Sequence, residues 1–203
     1  MAPAGSRTAA YTVAVLTADD PLPLRPRRIA VVGVSGAGKT TLSDRIAEVI
    51  DAPRTETDSL YHGPEWTVRP EFLDDVRAAV ARDSWVMEFQ YRAARPIIAA
   101  RMDLLVWLDP PFWTTTLPRV VRRTVHRRLT RHRMWSDNQE GPLWTFFTDP
   151  NHIVRWSLQT RHKYRDTIEE LAEAKGWTVV RLRSQREVER WLSGPLAAAV
   201  SAP

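Results

Sequence analysis

The residues best placed to do chemistry stand together near the start of the chain. Gly33-Val34-Ser35-Gly36-Ala37-Gly38-Lys39-Thr40 satisfies G-x-x-x-x-G-K-[ST] at every fixed position. Glycines at that spacing let the backbone bend around a phosphate and aim several N–H groups inward. A helix opening at Lys39 adds its partial positive end to the same spot. In such a loop Gly33, Ser35, Gly36, Ala37, Gly38, Lys39, Thr40 and Thr41 line the nucleotide. Lys39 reaches the outer phosphates and the Thr40 hydroxyl ligates Mg²⁺. The expectation is a loop that binds the phosphates of ATP with Mg²⁺.

Three carboxylates, Asp58, Glu88 and Asp109, fall at the C-terminal ends of expected strands. In open α/β sheets ligands collect at those strand ends. Asp109, followed by Pro110 and Pro111, reads foremost as a helix N-cap. A second group is cationic: Arg119, Arg123, Arg127 and Arg131 recur every fourth residue, thickened by Arg122, Arg128 and Arg133. Like charges in one helical stripe repel, so folding should bring them to an anion. Trp135, Trp144, Phe146 and Phe147 follow and could stack on a base, although lid or core packing is favoured. Five histidines without chelating spacing make a protein-held transition metal a poor reading.

The elements that would position these groups alternate strand and helix. Ile29–Val32 is a buried strand running into Gly33, and a helix follows with Leu42, Ile46, Val49 and Ile50 on one face. Arg54–Thr57 is a second strand, 58–69 a loop, and Pro70 opens a helix. Trp85–Met87 forms a third strand ending near Glu88, and 92–101 a helix with Pro96 in its first turn. Asp103–Leu108 is a fourth strand. The arginine helix runs through Arg133, and about 127–150 forms a lid. Asp149-Pro150 starts one long helix to Lys175, closed by Gly176. Trp177–Leu182 is the fifth strand, and Ser184 to Glu187 a capping box. The pattern predicts one domain over 27–195, an extension at 1–26 and a flexible tail at 196–203. Within the extension, Tyr11–Leu16 could add an edge strand. Such alternation means a parallel sheet covered on both faces.

Composition agrees with a single α/β domain: 203 residues, 43% hydrophobic, 26% charged, net charge +5 and no cysteine. A disulfide framework and a thiolate metal site are excluded. No apolar run reaches the length of a membrane span, which points to a cytoplasmic protein without a membrane partner.

Among phosphate-loop proteins, GTPases need D-x-x-G and N-K-x-D, and neither occurs. Leu192-Ser193-Gly194-Pro195 breaks the ABC-type signature after its glycine. The strands end Met87-Glu88-Phe89 and Leu108-Asp109-Pro110, without the Asp-Glu pair of AAA-type motors. The small kinases remain.

Most of 27–193 resembles the nucleoside-monophosphate-kinase group, closest to bacterial adenylate-kinase-like "DNA topology modulation" proteins. The resemblance rests on Gly33–Thr41, Thr57–Tyr61 with Gly63–Trp66, Trp85–Tyr91, Asp103–Pro111, the arginine helix, Arg155–Arg165 and Arg181–Ser184. It implies a P-loop NTPase fold with five strands in the order 2-3-1-4-5 and a small Arg-rich lid. It implies that Asp58 holds the acceptor as general base, and that Glu88 serves the metal or orients the acceptor. Arg123-Thr124-Val125-His126-Arg127-Arg128 resembles R-x-x-x-R-R, giving Arg123 and Arg127 to the nucleotide. Arg155, Arg161 and Arg165 resemble the set that closes over the transferring phosphoryl group. Glu88-Phe89 stands where such kinases often have Asp-Gly, which alters the room for an acceptor. The implied activity is ATP-dependent phosphoryl transfer to a nucleotide, nucleoside or other small acceptor. The alternative is a nucleotide-gated nucleic-acid-binding or regulatory protein. It would show acids turned from the loop and an exposed arginine stripe.

Overall fold

The computed structural model describes residues 15–130, 133–138, 144–148, 152–165 and 167–202. Six parallel strands form one sheet: β1 (Val15–Leu16), β2 (Arg28–Gly33), β3 (Arg54–Thr55), β4 (Trp85–Glu88), β5 (Leu104–Leu108) and β6 (Val179–Leu182), in the order β1-β6-β5-β2-β4-β3. The sheet thus has one strand more than expected. Val15 and Leu16 pair with Val179 and Val180 and extend the β6 edge. The other five lie in the expected order. Tyr11–Ala14 of the anticipated edge strand fall outside the described residues.

Side chains alternate along the buried strands, and that alternation sorts the core into two halves. Ile29, Val31, Val86, Leu104, Val106, Val180 and Leu182 face α1 (Lys39–Ile50), through Leu42 and Ile46. Ala30, Val32, Trp85, Met87, Leu105, Trp107 and Val179 face the opposite side. There they meet α3 (Phe72–Val80) through Phe72 and Val76, and α4 (Arg95–Ala99) through Ile98. The short α2 (Thr57–Tyr61) lies between β3 and α3. Both halves are apolar, and Glu88 and Asp109 stand at the C-terminal ends of β4 and β5.

α5 (Leu117–Leu129) is shorter than the predicted arginine helix. Thr130 closes it by returning its hydroxyl to the His126 carbonyl at 2.8 Å, and Arg133 pairs with Asp137 at 3.4 Å beyond the helix. Arg131 lies outside the described residues. So do Gly141 and Pro142 of the expected lid and the Asp149-Pro150 helix start. Within the lid region α6 (Thr145–Thr148) is one turn.

The single helix expected up to Lys175 is two, α7 (Ile153–Gln159) and α8 (Ile168–Lys175). The Thr160 hydroxyl bonds the Trp156 carbonyl at 2.7 Å, and Arg161 Nη1 donates to the Leu158 carbonyl at 2.7 Å. These bonds satisfy the end of α7 and let the chain turn. Gly176, at φ 65°, ends α8 as expected. After α9 (Gln185–Trp191), the predicted flexible tail carries α10 (Ala197–Ser201). Leu196 is fully buried against the α1 side, which anchors that turn.

Candidate active site

The loop after β2 turns sharply, with Ala37 N–H donating to the Val34 carbonyl at 3.1 Å. Gly38 sits at φ 104°, a conformation that side chains rarely adopt. Gly36 has a second reason to lack one: a Cβ there would come within 2.5 Å of Val120 Cγ2 on α5. The close approach of α5 to the loop is therefore written into that glycine. Gly33 closes β2 and Ala37 is buried, while Thr40 and Thr41 open α1 on its exposed side.

Lys39 is half-buried, and its Nζ lies 3.5 Å from the Val34 carbonyl. Burial lowers its pKa, while the charges of Glu88 and Asp58 pull it back up. Both acids therefore act electrostatically on the loop lysine. Glu88, at the end of β4, is 2% exposed and accepts from Thr40 Oγ1 at 2.8 Å. Gln90 Nε2 donates to its other oxygen, and Arg54 Nη2 stands 4.0 Å away. The buried Thr57 hydroxyl donates to the Glu88 carbonyl at 2.8 Å, tying α2 to β4. Thr40 and Glu88 thus present hard oxygens side by side. Mg²⁺ accepts one or two protein oxygens when phosphates complete its shell, so the pair suits it.

Asp58, in the first turn of α2, is engaged differently. Tyr91 donates its hydroxyl proton to Asp58 Oδ1 at 2.6 Å. The Tyr91 oxygen also lies 3.1 Å from His62 Nε2, so that nitrogen must carry the hydrogen. Burial raises the Tyr91 phenol further, and it stays a neutral donor. Tyr91 occupies φ 53°, a left-handed conformation costing about 1 kcal/mol for such a residue. The Asp58 bond and a stacked contact with Tyr61, centroids 3.7 Å apart, hold it there.

Trp135 lies over His62 with centroids 5.6 Å apart and planes at 21°. Asn138 sets that roof in place. Its Nδ2 donates to the Gly63 carbonyl at 2.9 Å and to the Trp135 carbonyl at 2.8 Å, and its Oδ1 accepts from Trp66 N–H at 3.0 Å. Ser136 Oγ adds a bond to the His62 carbonyl at 2.9 Å.

The arginine stripe divides. Arg123 Nη2 donates to Ser35 Oγ at 3.2 Å, so it faces the loop. Arg127 lies one turn further along and is half-buried, while Arg122 and Arg128 are exposed. Of the later set, Arg155 is half-buried on α7, Arg161 turns to the end of α7, and Arg165 reaches Asp109 at 3.2 Å. Asp109 is accordingly no helix cap. Arg165 and Arg181 take its two oxygens, and the following helical turn begins at Phe112 after Pro111.

Sequence reasoning missed Tyr91, His62 and Asn138, as well as Arg95 and Lys163 described below. None has a fixed spacing from the loop. The one signal was the aromatic and histidine run that follows Asp58, Tyr61-His62 with Trp66.

No protein-family model matches the chain, and no curated protein matches it. Among solved structures it is similar to a gluconokinase from Sinorhizobium meliloti 1021, at 21% identity over 87% of this chain and 95% of that one, with a TM-score of 0.48. It is also similar to a sugar kinase from Janibacter sp. HTCC2649, at 18% identity over 87% of this chain and 99% of that one, with a TM-score of 0.42. By its own strand order and loop, the chain has a P-loop α/β fold. No helix among the described residues is long and apolar enough to cross a membrane.

Proposed function

We propose that this protein is an ATP- and Mg²⁺-dependent phosphotransferase acting on a small acceptor bound beside Asp58. One observation carries the reading. The buried Glu88 carboxylate bonds the loop threonine, which sets two hard oxygens beside the phosphate loop where Mg²⁺-dependent transfer needs them. Arg123, turned onto Ser35, supports it.

The loop amides and Lys39 hold the phosphates, with Arg123 beside them. Thr40 and Glu88 would hold Mg²⁺, which when bound offsets phosphate charge. The acceptor oxygen attacks the γ-phosphorus, and the bond from that phosphorus to the β–γ bridging oxygen breaks. ADP leaves, and the acceptor's proton passes to Asp58. The Tyr91 bond holds one oxygen of that carboxylate in place. Phosphoryl transfer asks chiefly for positioning and charge neutralisation, which these groups supply.

The test is ADP formation by the purified chain with ATP and Mg²⁺ against a panel of small hydroxyl and phosphate acceptors. Acceptor-dependent ADP is expected. A panel that leaves ATP untouched, beside salt-sensitive DNA binding lost on changing the exposed Arg122 and Arg128, would move the protein to the nucleic-acid reading.

A further inference from the structure

Arg95 opens α4 a few residues beyond Glu88, and its surroundings are unusual for a guanidinium. Its Nε is buried without a hydrogen-bond partner. Its Nη2 donates to Tyr164 Oη at 2.9 Å, and the group lies over the rings of Phe89 at 5.6 Å and Tyr164 at 5.4 Å. Among the described residues no carboxylate comes within 4 Å of it, whereas Arg28, Arg45, Arg54, Arg69, Arg165 and Arg181 all have one. A partly buried cation supported only by rings and a phenol is under-compensated.

A second cation stands on the same ring. Lys163 Nζ is 5.6 Å from the centroids of both Tyr164 and Trp156, and it too has no carboxylate partner among the described residues. Its pKa is lowered by partial burial first, then by Arg95 and by Lys39. Tyr164 is raised chiefly by burial and also by the Glu88 charge. Phe89, under the Arg95 guanidinium, directly follows Glu88, so the pair stands beside the end of β4. Two like charges sharing a ring, with the local acid Glu88 committed to Thr40 and Gln90, leave a place for an anion.

We propose that Arg95 and Lys163, set on the Tyr164 ring, form an oxyanion subsite that holds a phosphate-monoester or carboxylate group of the acceptor. Arginine offers a planar fork to such a group and lysine a point charge beside it. The subsite is separate from the Gly33–Thr40 loop. Calling its occupant the acceptor rests on the kinase reading above.

The test is calorimetric titration of the full chain, in ADP and Mg²⁺, with inorganic phosphate and separately with glycerate. The wild-type chain should bind at least one of them saturably. Arg95→Gln and Lys163→Gln should each weaken that binding by about tenfold or more, with ADP affinity unchanged. Tighter phosphate binding assigns the subsite to a phosphate monoester, and tighter glycerate binding to a carboxylate. If Arg95→Gln does not fold, Lys163→Gln decides alone, because that side chain reaches solvent. A wild-type chain that binds neither anion, or a folded variant that binds as wild type does, overturns the subsite. Failure of ADP to bind would count against the kinase reading instead, and the anion titrations are read in the same way without it.

Discussion

In the proposed phosphotransferase, the phosphate side, between Gly33 and Thr40, relies on main-chain N–H groups, one lysine and one hydroxyl. On the proposed acceptor side, Asp58, His62, Tyr91 and Trp135 form a wall joined almost wholly through side chains. The first is a local backbone shape. The second is assembled from three distant stretches of chain and held by bonds spanning 72 to 75 residues. A backbone cradle tolerates few sequences, whereas a side-chain wall can be rebuilt for a different guest. On the proposed phosphotransferase reading, the difference assigns nucleotide binding to one half and selectivity to the other.

The largest effect should break the phosphate half alone. Lys39→Ala is expected to abolish ATP–Mg²⁺ binding by calorimetry while the melting temperature holds, because a partly desolvated ammonium contributes little to the core. Unchanged ATP affinity in a folded variant would remove the basis of the comparison.

Next come the acids that join the halves. Asp58→Asn and Glu88→Gln should each lower phosphoryl transfer by about 100-fold, with ATP affinity changed much less for Asp58→Asn. Single-turnover rates would show this. Full activity in both would detach the acceptor wall from the chemistry.

Asn138→Ala should act on stability. It strands the buried Gly63 carbonyl and removes the acceptor of the part-buried Trp66 amide, which costs about 2 kcal/mol in denaturant unfolding. A variant as stable as wild type would mean that the wall does not depend on its clasp.

The smallest effect is a pH slope. Burial holds the His62 imidazole below its ordinary 6.5, against the pull of Asp58. The unfolded chain therefore binds a proton there before the folded one does. Stability should be constant above 6.5 and decline as pH falls from that value towards the folded pKa. His62→Gln should flatten that part of the profile in urea melts, and an unaltered slope would assign it to another group.

The legibility of the molecule follows the same division. The loop could be read because phosphate geometry demands glycine, lysine and threonine at set intervals. The strands could be read because burial on both faces demands short apolar runs such as Leu104–Leu108. Asp58 and Glu88 were visible as acids at expected strand ends, although β3 stops at Thr55 and Asp58 stands in the first turn of α2. Asp109 looked alike but is occupied by Arg165 and Arg181, partners 56 and 72 residues away that no local pattern discloses. Helix ends at Thr130 and Thr160 were missed because a hydroxyl turned back on its own carbonyl competes with charge patterns that would extend the helix. Tyr91 was hidden for a different reason: its left-handed backbone is imposed by partners, against its own preference.

The Asn138 clasp has a further consequence for motion. Met134 N–H bonds the Asn138 carbonyl at 2.8 Å, while Trp66 N–H and the Gly63 carbonyl bond the Asn138 side chain. The Asn138 side chain thereby joins two surface turns far apart in sequence, and opening the 134–138 turn releases both of its bonds to the 63–66 turn. Their amide protons should exchange with solvent deuterium through a shared opening, so that Trp66 and Met134 report one free energy rather than two.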